Sequence, residues 1–166
     1  VYKRQVVILS NIQDTNGNLL TNDTIQFRTA DESPPIISAS GLASTNQYCY
    51  IDFSEGVFSS NSGEGGIELN DLEYTFDPNG GNCSSVNILE IKNYTGALLS
   101  GGETLVYAYV QLNSSPSGSE TIIFAPADGS SIFDQAGNPM HPSSITGVMT
   151  FNASAVIDSL FLDPYN

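Results

Sequence analysis

The sequence predicts an all-β fold, a β-sandwich of about seven strands with Greek-key connections. Two observations carry this prediction. Short runs of alternating apolar and polar residues recur between clusters of turn formers, and no run has the period of an amphipathic helix. Lys and Arg together number only 4 in 166 residues, while Ser, Thr, Asn and Gly abound. That is the composition of an extracellular β protein.

The first strand is expected at Ile36–Leu42, where Pro34 and Pro35 bar a helix. In Tyr48–Phe53, Cys49, Ile51 and Phe53 alternate with Tyr50 and Asp52, the period of a half-buried strand. Leu72, Tyr74 and Phe76 alternate with Asp71, Glu73 and Thr75 in the same way. Val86–Ile91, Thr104–Leu112, Glu120–Ala125 and Ile145–Phe151 complete seven strands. Between them, Gly63–Gly66, Asp77–Asn82, Gly101 with Gly102, and Ser114–Gly118 carry loop chemistry. Seven short strands without an amphipathic helix favour two packed sheets.

Charge narrows the function. With 18 acidic residues against 4 basic, the net charge is -14, so nucleic acid and anionic membrane are repelled by the chain's own field. An apolar stretch of about 20 residues, the length a membrane helix needs, is absent, so direct membrane insertion is not expected. Cys49 and Cys83 allow one disulfide at most, and the fold must rest on a hydrophobic core. The alternation turns Cys49 toward the core, whereas Cys83 falls in a Gly- and Asn-rich loop; whether they pair stays open. Val1–Gln5 holds two of the basic residues and is one translation of a DNA sequence that resembles a transposase adapter used in sequencing libraries, so it is expected to be an artefact at a fragment end. On that expectation, the lack of a visible signal segment carries no information about localisation.

An internal repeat sets the organisation. Asp14, Gly17 and Asn18 recur as Asp134, Gly137 and Asn138, 120 residues later, and each copy runs on to an apolar strand ending in Phe27 or Phe151. A polar link and a new apolar start follow each, at Ile36 or Val156. The expected division is residues 1–32 as the end of one repeat, 33–153 as a complete repeat, and 154–166 as the start of a third or a linker.

Three stretches, Phe53–Val57, Pro116–Ile122 and Ile132–Asn138, resemble the bacterial immunoglobulin-like repeats of large cell-surface and adhesin-like proteins, near the SbsA-type Ig-like domains. The resemblance spans most of residues 6–153. It implies an immunoglobulin-like sandwich, a non-enzymatic structural or adhesion module, and a place outside the cell at a bacterial surface. Its implied partners are neighbouring repeats of the same chain and a surface glycan or protein ligand. The competing reading is a carbohydrate-binding or spacer domain attached to an extracellular hydrolase.

Chemistry-bearing residues are few. His141 is the only histidine, and no Ser-His-Asp set, Cys/His metal cluster or phosphate-binding glycine loop can be assembled around it. Catalysis is therefore not expected. The Asp-x-x-Gly-Asn motif reads first as a tight turn, in which the Asp and Asn side chains bond local backbone and Gly supplies a positive φ. Calcium is the functional alternative, since it takes six to eight oxygen ligands. In an Ig-type sandwich, Glu55 after the second strand, Asp134 with Asn138 between the last two, and Asp31 with Glu32 at the entry fall at one end, as candidate calcium ligands. Asn22, Asn82, Asn93, Asn113 and Asn152 each begin an Asn-x-Ser/Thr triplet, a mark of surface exposure only. Tyr48, Tyr50, Tyr107 and Tyr109 are the candidates for an aromatic binding platform, although packing against the core or a neighbour is the commoner use of such residues.

Overall fold

A computed structural model describes residues 4–9, 13–19, 23–28 and 30–154. The chain divides into two units, Val1–Ser33 and Pro34–Asn166. In the first, strands β1 (Arg4–Leu9) and β2 (Asp23–Arg28) pair antiparallel, from Arg4 opposite Arg28 to Leu9 opposite Asp23. Arg4 and Gln5, from the segment expected to be an artefact, stand inside β1. The expected start of a third repeat at 154–166 lies, beyond Ser154, outside the described residues.

The second unit holds seven strands among its described residues: β3 (Ile37–Leu42), β4 (Tyr48–Val57), β5 (Leu72–Asp77), β6 (Val86–Lys92), β7 (Glu103–Leu112), β8 (Thr121–Pro126) and β9 (Met149–Thr150). They form two antiparallel sheets, ordered β3-β4-β7-β6 and β5-β8-β9. One turn of 3-10 helix, Leu69–Asp71, leads into β5. The inward residues of both sheets join in one core. Cys49, Ile51 and Phe53 of β4 and Val106 and Ala108 of β7 meet Ile122 and Phe124 of β8 and Phe151 beyond β9. Burying a side chain of this size stabilises by about 1.5–3 kcal/mol, so the alternation read from the sequence is the main source of the fold's stability.

Two strands depart from expectation, each for a local reason. The last strand is two residues long instead of Ile145–Phe151. Ahead of it the Thr146 side chain replaces a ladder partner: the Phe124 N–H donates to Thr146 Oγ1 at 2.9 Å, and the Thr146 N–H donates to the Phe124 carbonyl at 2.9 Å. Thr146 is consequently the buried residue, and Ile145 and Val148 face solvent, the reverse of an apolar-in pattern. Conversely, β4 runs four residues past Phe53. Its pairing with β7 passes from Asp52 opposite Leu105 directly to Val57 opposite Glu103, so Phe53–Gly56 form a bulge.

Cys49 and Cys83 are both buried and both free. Cys83 lies in its loop but is wholly enclosed, with its thiol 3.1 Å from Asn113 Oδ1. Burial pushes the Cys49 thiol up to about 12, which keeps it protonated and unreactive.

Candidate metal site and its surroundings

The bulge in β4 positions Glu55. Bulging re-aims a side chain that a regular ladder would hold in the pleat. Gly56 permits it: a β-carbon there would stand 2.8 Å from the Gly102 carbonyl oxygen, too close for any other residue without a shift. Past the bulge, Phe58 and Phe133 exchange backbone hydrogen bonds of 2.8 and 2.9 Å, which joins the end of β4 to the segment carrying Asp134.

That segment is a tight turn. The Asp134 N–H donates to the Asn138 carbonyl at 3.1 Å, and the Gly137 N–H donates to the Asp134 carbonyl at 3.3 Å. The Asp134 carboxylate accepts the Asn138 backbone N–H at Oδ1 (2.8 Å) and the Asn138 side-chain amide at Oδ2 (2.7 Å). Gly137 takes φ of +89°, the left-handed region that the turn requires. Asp134 is 1% exposed, an unusual place for a carboxylate unless it is held by hydrogen bonds such as these.

Glu55 and Asp134 bring carboxylate oxygens within 4.8 Å of each other. An ion with bonds of 2.3–2.6 Å to each oxygen would span that separation. A carboxylate has about four acceptor positions, and the two Asn138 bonds occupy one on each Asp134 oxygen. The pair thus fits calcium as part of a ligand set and needs further oxygens to complete it. Of the five expected ligands, the second unit unites Glu55, Asp134 and Asn138. Asp31 and Glu32 belong to the first unit, where Asp31 accepts the Ser33 N–H at 3.2 Å, a bond that lowers its carboxyl from the usual value.

The first unit carries the same turn. The Asp14 N–H donates to the Asn18 carbonyl at 3.0 Å, and the Gly17 N–H to the Asp14 carbonyl at 3.0 Å. Asp14 Oδ1 accepts the Asn18 N–H at 2.9 Å, Oδ2 accepts the Asn18 amide at 2.8 Å, and Gly17 has φ of +81°. These bonds, the Asn18 amide first, hold the Asp14 carboxyl below its ordinary value. Even the flanking bridges correspond, Gln13 with Leu19 and Phe133 with Pro139.

Sequence reading missed Glu120, which it assigned to a strand. This carboxylate is 0% exposed. It accepts the Cys83 N–H at 3.0 Å, the Ser117 N–H at 3.0 Å, and the Gly118 and Ser119 N–H groups at 3.2 Å each. Burial pushes its carboxyl upward, but these backbone donors outweigh burial and bring it down to about 2. Glu120 therefore ties the Cys83 loop to the Ser117 loop as an anion. The run of small residues after Pro116, with its closely spaced N–H groups, was the available clue.

His141 is exposed and bonds only locally among the described contacts, its Nδ1 2.6 Å from Ser143 Oγ. The chain matches no protein-family model, no curated protein and no solved structure.

Proposed function

We propose that this chain is a non-enzymatic structural or adhesion module, a piece of an immunoglobulin-like tandem array on an extracellular bacterial surface protein. The observation that carries the reading is the turn found twice, 120 residues apart, with four corresponding hydrogen bonds at Asp14–Asn18 and Asp134–Asn138. Repetition at this period suits a chain of sandwiches built for extension. Strand order supports the immunoglobulin-like, Greek-key assignment. Lettered A to G, β3–β9 distribute as A-B-E-D and C-F-G, the arrangement of a constant-type immunoglobulin sandwich.

In this reading, Glu55, Asp134 and Asn138 supply part of a calcium site that needs further oxygens to complete it. The sequence flanking this segment in its gene tests the array: further 120-residue repeats support it. A catalytic domain alongside favours the second reading, an accessory domain of an extracellular hydrolase, which the tyrosines on the outward face of the four-stranded sheet also suit. Melting in calcium and in chelator tests the ion. A site occupied at 100 times its Kd adds about 2.7 kcal/mol, and that gain should vanish in Asp134→Ala.

A further inference from the structure

On the outward face of the four-stranded sheet, Tyr48 and Tyr50 alternate with buried Cys49 and Ile51, and Tyr107 and Tyr109 alternate with buried Val106, Ala108 and Val110. The register sets Tyr48 opposite Tyr109 and Tyr50 opposite Tyr107. None of the four belongs to the core. The Tyr48 and Tyr107 rings lie 5.1 Å apart at 80°, and the Tyr48 and Tyr109 rings 5.8 Å apart at 55°. Rings so inclined are walls, not a flat platform. With Tyr94 they enclose an open concavity of about 250 Å³.

Tyr94 is 79% exposed, a large aromatic held out in water. Its loop is nonetheless fixed. Asn93 Oδ1 accepts the Thr95 N–H at 3.0 Å, the Ala97 N–H at 3.1 Å and the Thr95 hydroxyl at 2.7 Å, while the Asn93 N–H donates to the Ala97 carbonyl at 3.0 Å. An aromatic presented on a rigid turn pays little ordering cost on binding.

Charge selects the ligand. Lys92 is the only Lys or Arg after Arg28, and it sits at this face. Its ammonium is 2.7 Å from Glu90 Oε1 and 5.8 Å from the centre of the Tyr109 ring. An anion would meet a lysine already neutralised, within a chain of net charge -14. A cation would meet an aromatic face that Lys92 already covers. A neutral pyranose avoids both conflicts and would meet the tyrosine hydroxyls and ring edges that line the concavity. The volume falls below the roughly 300–1,000 Å³ of pockets for drug-sized ligands, so one sugar ring is the natural occupant. We propose that Tyr48, Tyr94, Tyr107 and Tyr109 form a binding subsite for a neutral pyranose unit of a soluble glycan chain or chain end. The proposal holds whether the chain is an array repeat or a hydrolase's accessory domain.

The chain has 8 Tyr and no Trp, so its intrinsic fluorescence reports on tyrosine. The full chain would be titrated with hexasaccharides of glucose, mannose, galactose and xylose, and separately with choline and polygalacturonate. At least one neutral hexasaccharide should saturate with Kd of about 0.1–1 mM. Tyr94→Ala, a change on an exposed loop, and Tyr107→Phe should each weaken it about tenfold or more, while Tyr74→Phe on the other sheet should not. Crystalline cellulose should fail to bind. Three results would each overturn the proposal: no saturation by any neutral sugar up to about 10 mM, saturation by choline or polygalacturonate alone, or sugar binding indifferent to Tyr94→Ala.

Discussion

Two turns of one design stand in opposite surroundings. At Asp14–Asn18 every residue is exposed, whereas at Asp134–Asn138 the aspartate is enclosed and the turn is packed against the Ser59–Glu64 loop. A β-carbon on Gly17 would meet nothing within 4 Å, whereas one on Gly137 would collide with the Asn61 carbonyl oxygen. Asp, Gly and Asn and the four hydrogen bonds among them are shared, with Asn16 adding a 2.9 Å bond to Asp14 Oδ1 in the first turn, so the local motif explains the turn's shape and not its worth. What the shared Asp, Gly and Asn contribute depends on what the rest of a sandwich lays over them.

Breaking the enclosure should have the largest effect. Phe53→Ala removes a core side chain from the strand whose bulge carries Glu55, and should cost about 3–5 kcal/mol in denaturant unfolding. Acid should follow. Glu120 has an ordinary value of 4.5 and sits at about 2 in the folded chain. Its contribution is therefore complete above about pH 4.5 and is lost as pH falls toward 2, and Glu120→Gln should flatten that part of the stability profile.

The aspartates sharpen the contrast itself. Asp134→Ala removes an enclosed acceptor of two hydrogen bonds and should cost about 2–3 kcal/mol; Asp14→Ala, with water at hand, should change stability by no more than about 0.5 kcal/mol. The glycines give the smallest pair. Gly17→Ala should cost about 1 kcal/mol in local conformational energy, measured as faster opening of its own turn, and Gly137→Ala at least twice that because of Asn61. Equal costs within either pair would contradict the comparison.

Much of this was legible in the chain. Alternation placed six of the seven strands of the second unit closely, because one face of each is buried in a common core. It misplaced the seventh since Thr146, a polar residue, faces inward and bonds Phe124 where an apolar residue was expected. The pairing of Glu55 with Asp134 was legible only through topology. The bulge that aims Glu55 depends on Gly56 meeting Gly102, a contact between residues 46 apart in the chain that no local pattern encodes. Glu120 escaped for a similar reason: a carboxylate at a strand start reads as surface until the loops that donate to it are in place.

Hydrogen exchange at the Asn18 amide, in a chain extended upstream by one repeat length, tests the central claim most directly. The Asn18 and Asn138 N–H groups donate to corresponding carboxylate oxygens at 2.9 and 2.8 Å, and Asp14 Oδ1 also accepts the Asn16 N–H, so a large difference in protection comes chiefly from the surroundings. If the two turns are one element of consecutive repeats, Asn18 should exchange quickly in the present chain and slow to the range of Asn138 once its own sandwich is supplied. Asn18 exchanging as fast in the extended chain as in this one would contradict the account.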